Sequence, residues 1–168
     1  MTTNAVYEKR GSALTFVNTG GTELLNMKAL AAVTGRLSSF NDRGAGAAPG
    51  EYEVRAYTKW VATPTVNETL HVYLCQSDGT HSDAGLAFHD TNDAAVTLAQ
   101  CTNLKMIGIV NCDTADTNEH GATFIVRITS RYFAIAVYNG SAGKTLVDTD
   151  SLSAVVVTPI YPDVQAAQ

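Results

Sequence analysis

Two stretches of this chain share one grammar. Glu68 to Gly85, ETLHVYLCQSDGTHSDAG, is an apolar and aromatic run that ends abruptly in Ser, Asp and Gly. Tyr132 to Asp150, YFAIAVYNGSAGKTLVDTD, repeats the pattern and breaks at Asn139-Gly140. Residues that fit a pleated surface, followed by residues that supply turns, predict strand, sharp turn, strand. Chains of that kind bury their apolar faces by stacking antiparallel layers.

The clearest strand is Glu51 to Val61. Its even positions are Tyr52, Val54, Ala56, Thr58 and Trp60, and its odd positions include Glu51, Glu53, Arg55 and Lys59. A period of two over that length means one buried face and one wet face. Trp60, the only tryptophan, is expected to anchor the core. Further strands are expected at Ala13 to Asn18, Thr34 to Asn41, Leu70 to Gln76 and Leu104 to Cys112, with Gly108 at a bulge. Thr123 to Thr129 and Tyr132 to Tyr138 follow, joined by a tight link at Ser130-Arg131. The last strand, Leu152 to Ile160, is expected to stop at Pro159 and Pro162. Asp42 to Gly50, DRGAGAAPG, is a loop of breakers. Glu23 to Ala32 fits either a helical stripe (Leu24, Leu25, Met27, Leu30, Ala31) or a strand alternating at Leu25 and Met27; its neighbours weigh for strand plus a short turn. The expected fold is all-β, an antiparallel β-sandwich of jelly-roll type with little helix and about eight or nine strands. One domain spans 13–160, with an N-terminal arm at 1–12 and a C-terminal tail at 161–168.

Charged residues are only 16% of the 168, where about 25% is usual. The resulting surface is neutral, polar and suited to close packing against other protein. The eleven basic residues are scattered, with Lys9-Arg10 the only adjacent pair, and net charge is −5. A nucleic-acid binder needs a basic stripe to displace counterions, so direct nucleic-acid binding is not expected. Cys75, Cys101 and Cys112 form no C-x-x-C pair; their odd count allows one bridge and one free thiol, and they read first as buried thiols of a reducing compartment. The N-terminus, MTTNAVYEKRGSA, lacks the apolar core of a signal peptide, and no run reaches the ~18 apolar residues of a membrane span. A chain made in the cytoplasm, with no membrane partner, is expected.

Motifs for chemistry are weak. His71, His81, His89 and His120 show no H-E-x-x-H or H-x-H spacing, so no metal ligands are assigned. Asp78, Asp83, Asp90, Asn92 and Asp93 crowd one loop; Asn111, Asp113, Asp116, Asn118 and Glu119 crowd another. Such loops either cap their own backbone or bind calcium, and neither has the spacing of a calcium loop. Gly143-Lys144-Thr145 resembles the end of a phosphate loop, but Tyr138 stands where the first glycine belongs and no helix is expected to follow. There is no G-x-S-x-G elbow for a nucleophile. No catalytic, cofactor-binding or metal residue is assigned, partner-binding residues are unknown, and no enzyme and no cofactor are expected.

Three segments together carry a family resemblance. They are Glu53 to Leu74 (EVRAYTKWVATPTVNETLHVYL), the turn Gln76 to Gly85 (QSDGTHSDAG) and the closing strands of Tyr132 to Ile160. They resemble the β-sandwich head-decoration, or cement, proteins of tailed bacteriophages and related small virion proteins. The resemblance implies a virion structural protein without chemistry. It implies assembly in the host cytoplasm, binding to the major capsid protein on the outer shell, and a homo-oligomer, often a trimer, that bridges neighbouring coat subunits. Met1 to Ser12 and Tyr161 to Gln168 would then be arms reaching to neighbours. The alternative is a carbohydrate- or receptor-binding sandwich of a tail or fibre, with Tyr7, Tyr57, Tyr73 and Tyr161 as aromatic platforms. A third reading is a small jelly-roll enzyme with two close carboxylates.

Overall fold

The structure is a computed structural model describing residues 5–46, 48–86, 92–113 and 118–165. Its strands are β1 (Ala5–Arg10), β2 (Leu14–Val17), β3 (Glu23–Leu24), β4 (Thr34–Leu37), β5 (Asn41–Asp42) and β6 (Glu51–Thr58). They continue with β7 (Thr69–Ser77), β8 (Ala94–Val96), β9 (Lys105–Asn111), β10 (His120–Arg127), β11 (Tyr132–Asn139) and β12 (Ala154–Gln165). One short helix, α1 (Leu98–Cys101), lies between β8 and β9, and a 3-10 turn, Asp150–Leu152, precedes β12.

These strands make two six-stranded sheets. The first runs β10-β6-β12-β2-β3 with β1 beside β12; the second runs β8-β4-β11-β7-β9 with β5 beside β11. Every pairing is antiparallel except β2 with β3. The chain is thus an all-β sandwich. β6 alternates as its sequence dictates, with Tyr52, Val54, Ala56 and Thr58 buried. The faces meet in one core in which Phe133 packs against Phe16 and Tyr52 at ring distances of 6.0 and 5.9 Å. Trp60 is buried in that core, as expected, and seats edge-on against His120 at 5.7 Å. Burying each large apolar side chain there contributes about 1.5–3 kcal/mol.

Three local expectations are corrected. The links at Ser130-Arg131 and Asn139-Gly140 are not hairpin turns: β10 and β12 belong to the first sheet and β11 to the second, so both links carry the chain across the sandwich. The Gln76 side-chain carbonyl holds the first crossing by accepting from the Thr129 and Ser130 amides at 3.0 and 3.2 Å. The last strand runs through both prolines. Gly11 N donates to Pro159 O at 2.9 Å, so the Pro159 main chain faces the β1 side. Alternation then turns Pro162 towards the opposite side, beyond the end of β6, where its missing N–H breaks no ladder bond. Residues 5–10 and 160–165 are not separate arms, because β1 and the end of β12 pair with one another. Glu23 to Ala32 is strand and turn rather than helix, as its neighbours weighed: the two-residue β3 is followed by turns with positive φ at Ala29 and Val33. The expected bulge is present: the β7–β9 register shifts between Val72 and Tyr73, next to Gly108.

Candidate docking face

The two outer faces of the sandwich differ. The second sheet turns Tyr73, Cys75, Ala134, Ala136 and Tyr138 outward, yet all are buried. The segment from Asp78 to Leu104 leaves β7, pairs as β8 at the far edge, and returns through α1 to β9. Its Ala84, Val96, Cys101 and Leu104 close over that face and form a second apolar cluster with Leu37 and Phe40. α1 is started by its own side chains, with Thr97 and Gln100 forming a reciprocal cap at its N-terminus. Burial pushes the Cys75 thiol up to about 11 and raises Cys101 and Tyr73 as well.

The first sheet has no such cover among the described residues. Register places its outward side chains in rows across β10, β6 and β12: Arg127, Glu51 and Ile160; Ile125, Glu53 and Thr158; Thr123, Arg55 and Val156; then Gly121 beside Tyr57. Ile125 is 62% exposed, a large apolar side chain set among charges of both signs. Arg10 on β1 forms an ion pair with Glu53, which holds that carboxyl below its ordinary value. Between β6 and β10 lies a shallow groove of about 480 Å³ lined by Glu53, Arg55, Tyr57, Glu119, Gly121 and Thr123.

The residues singled out in the sequence scatter. Asp78 Oδ1 accepts from the Thr80 and His81 amides, both at 2.7 Å, and these bonds hold its carboxyl below the usual range. Asp83 accepts from Gln76 N at 3.1 Å. Asp93 accepts from Asn26 N at 3.1 Å and faces Arg36 at 3.6 Å. The first acidic loop therefore spends these three carboxylates on four backbone amides. Asp90, Asp116 and His89 lie outside the described residues. Among the described residues, no three His, Cys, Asp or Glu side chains converge as metal ligands.

The Gly143-Lys144-Thr145 loop uses its amides internally. Ala142 N donates to buried Glu68 at 2.7 Å and Lys144 N to Ser141 Oγ at 3.2 Å. Asn139, buried in β11, donates to the carbonyls of Leu30 and Lys144. His71 bridges Thr69 Oγ1 and the Tyr73 hydroxyl at 3.0 and 3.3 Å, and burial lowers its basicity. His81 lies near Asp78 in the exposed turn.

Cys112, His120 and Asp113 do come together. The sulfur lies 3.7 Å from His120 Nε2, and His120 Nδ1 lies 3.4 Å from Asp113. Cys112 is fully buried in the main core, so the sulfur lies below the surface rather than in a cleft. Of the tyrosine platforms, Tyr73 is only 5% exposed, Tyr161 is 37% exposed, and Tyr57 is half-buried on the groove. The Tyr7 side chain lies outside the described residues. The cover of the second sheet was not expected from the sequence; its trace there is Leu86, Val96, Cys101 and Leu104, scattered without a short period through a segment rich in Asp, Thr and Ala.

The chain matches no protein-family model and no curated protein. Solved structures of similar shape include murine APRIL at pH 5.0, with 9% identity over 90% of this chain and 99% of that one, at a TM-score of 0.43. Another holds N-terminal endo-1,4-β-D-xylanase 10B modules of Clostridium thermocellum complexed with xylohexaose, with 11% identity, 93% and 27% coverage and a TM-score of 0.39. A third is the Israeli acute paralysis virus particle heated to 63 degrees, with 10% identity, 96% and 74% coverage and a TM-score of 0.36. Likeness at this level carries no functional weight. No helix among the described residues is long and apolar enough to cross a membrane.

Proposed function

We propose that the protein is a non-enzymatic virion structural module, a capsid decoration protein that lays the open face of its first sheet on the major capsid protein of a tailed phage. The observation that carries this reading is the contrast between the faces: one sealed by its own chain, the other broad, mixed in charge and studded with Ile125, Val156, Ile160 and Tyr57. An apolar patch rimmed by charges of both signs fits a protein partner better than a phosphate backbone. Low charge density and the resemblance of Glu53 to Leu74, Gln76 to Gly85 and Tyr132 to Ile160 to cement proteins support the same reading. Several modest contacts on one shell add through avidity by about 10²-fold or more. A homo-oligomer is therefore the useful form, and the virion surface is its place of action.

Co-sedimentation with undecorated shells tests this. The native chain saturates the shell, and Val156→Glu, on the open face, loses binding while keeping its unfolding midpoint. A native chain that never pellets with shells ends the proposal.

A second reading rests on the groove beside Tyr57. An aromatic ring flanked by Glu53, Arg55 and Glu119 is the layout of a sugar platform with hydrogen-bonding rims. Glycan-array binding that disappears with Tyr57→Ala, in a chain indifferent to shells, favours it over the first.

A further inference from the structure

We propose that the free edge of β10 is a self-association surface, on which a second copy of this chain adds its own β10, antiparallel and two-fold symmetric about Thr123. The proposal goes beyond shell docking and stands without it.

β10 pairs with β6 along its whole length, from His120 opposite Thr58 to Arg127 opposite Glu51. Just past that ladder Ile128 N donates to Gly50 O at 3.0 Å, so the even residues turn their main chain towards β6. Alternation then points the N–H and C=O groups of Gly121, Thr123, Ile125 and Arg127 away from the sheet. No described residue bonds to them. β9 approaches from the inner face instead, where Gly108 leaves room for the Phe124 ring that an added Cβ would strike.

Proteins normally blunt such an edge with proline, a bulge, lysine or brevity. The other edges of this sheet are blunted: β3 has two residues, the free side of β12 carries Pro162, and β1, paired only with β12, carries Lys9. β10 has eight residues, HGATFIVR, with none of these devices. It is a template waiting for a strand.

The occupant follows from register. Outward-facing residues must meet outward-facing residues, which leaves a few two-fold arrangements. Centred on Thr123, each Ile125 lies over Gly121 of the second copy, each Phe124 meets Ala122, and each Arg127 meets Glu119. Large side chains face small ones and opposite charges pair at both ends. Centring on Phe124 sets Arg127 against Gly121, and centring on Ala122 sets Ile125 against Glu119. Of these three registers, only the one centred on Thr123 sets opposite charges against each other. The product is a continuous sheet through two copies, which doubles the open face. This contact closes as a dimer, where the family resemblance implies a trimer.

Cysteine scanning tests the edge and its register together. The three native thiols are buried, so an introduced one reacts alone. At the two-fold centre, Thr123→Cys brings Cα atoms to about 5.5 Å, within disulfide reach. Gly121→Cys leaves its thiols about 13 Å apart. Mild oxidation is expected to convert Thr123→Cys into a covalent dimer and to leave Gly121→Cys monomeric. Sedimentation supplies a second arm: Arg127→Glu and Glu119→Arg each lose the dimer, and the two exchanges combined restore it. Equal cross-linking at both positions, a trimer as the smallest oligomer, or charge exchanges without rescue would each overturn the proposal. Shell binding by a chain that fails these arms leaves the docking reading intact and removes only this one.

Discussion

The two sheets of this sandwich start from the same strand chemistry and end as different surfaces. In the second, β11 is buried on both faces because Ala84, Leu86, Val96, Cys101 and Leu104 close over it. In the first, β6 keeps strict alternation of buried and exposed residues because nothing described lies outside it. A sheet covered by its own chain gains stability there and gives up the face. A sheet left open keeps a surface for others. The difference teaches where to look for function in a fold without a cleft.

Substitutions can break this contrast or sharpen it. The largest effect is expected on the covered face. Leu37→Ala, fully buried beneath the crossing segment, should destabilise by about 2–5 kcal/mol, read from the urea midpoint. Where the two sheets approach at β9 and β10, Gly108→Ala pushes a methyl into the Phe124 ring and should cost about 1–3 kcal/mol. On the open face, Thr158→Ala should stay within about 0.5 kcal/mol, and a loss as large as that of Leu37→Ala would show that this face is covered after all.

The smallest effect concerns the rim. Arg131 grips Asp42 with two bonds of 2.8 and 2.7 Å, and with the Gly44 amide it holds that carboxyl at about 2, below the ordinary 3.8. Between those values the unfolded chain binds more protons than the folded one. The clamp therefore contributes fully above pH ~4 and fades as pH falls towards ~2. Asp42→Asn should flatten the fall of Tm over that window, by lowering Tm slightly at pH 7 and leaving it unchanged near pH 2. NMR titration of the Asp42 carboxyl reads the shift directly, and an ordinary midpoint would remove the clamp from the account.

Much of this fold is legible in the residues themselves. Tyr52, Val54, Ala56, Thr58 and Trp60 announce their buried face, and Gly108 announces its bulge. Pairing partners are less legible, because alternation fixes which face a residue takes but not which strand lies beside it. That is why Asn139-Gly140 reads as a hairpin and is a crossing between sheets. Pro159 and Pro162 read as stops because the side of the ladder their nitrogens face is a tertiary fact. The cover over Tyr73 and Tyr138 hides in an Asp-rich segment whose few apolar residues follow no short period. The open face was half-visible: Glu51, Glu53 and Arg55 show it to be wet, while the rows they form with Ile125 and Val156 appear only once register is known.

Hydroxyl-radical footprinting of the protein, free and bound to shells, tests the central claim most directly. Tyr57 and Ile125 are expected to lose reactivity on docking while Leu98, exposed on the covering segment, keeps it. Protection of Leu98 with Tyr57 and Ile125 unchanged would contradict that claim, because the shell would then be reading the sealed side of the molecule.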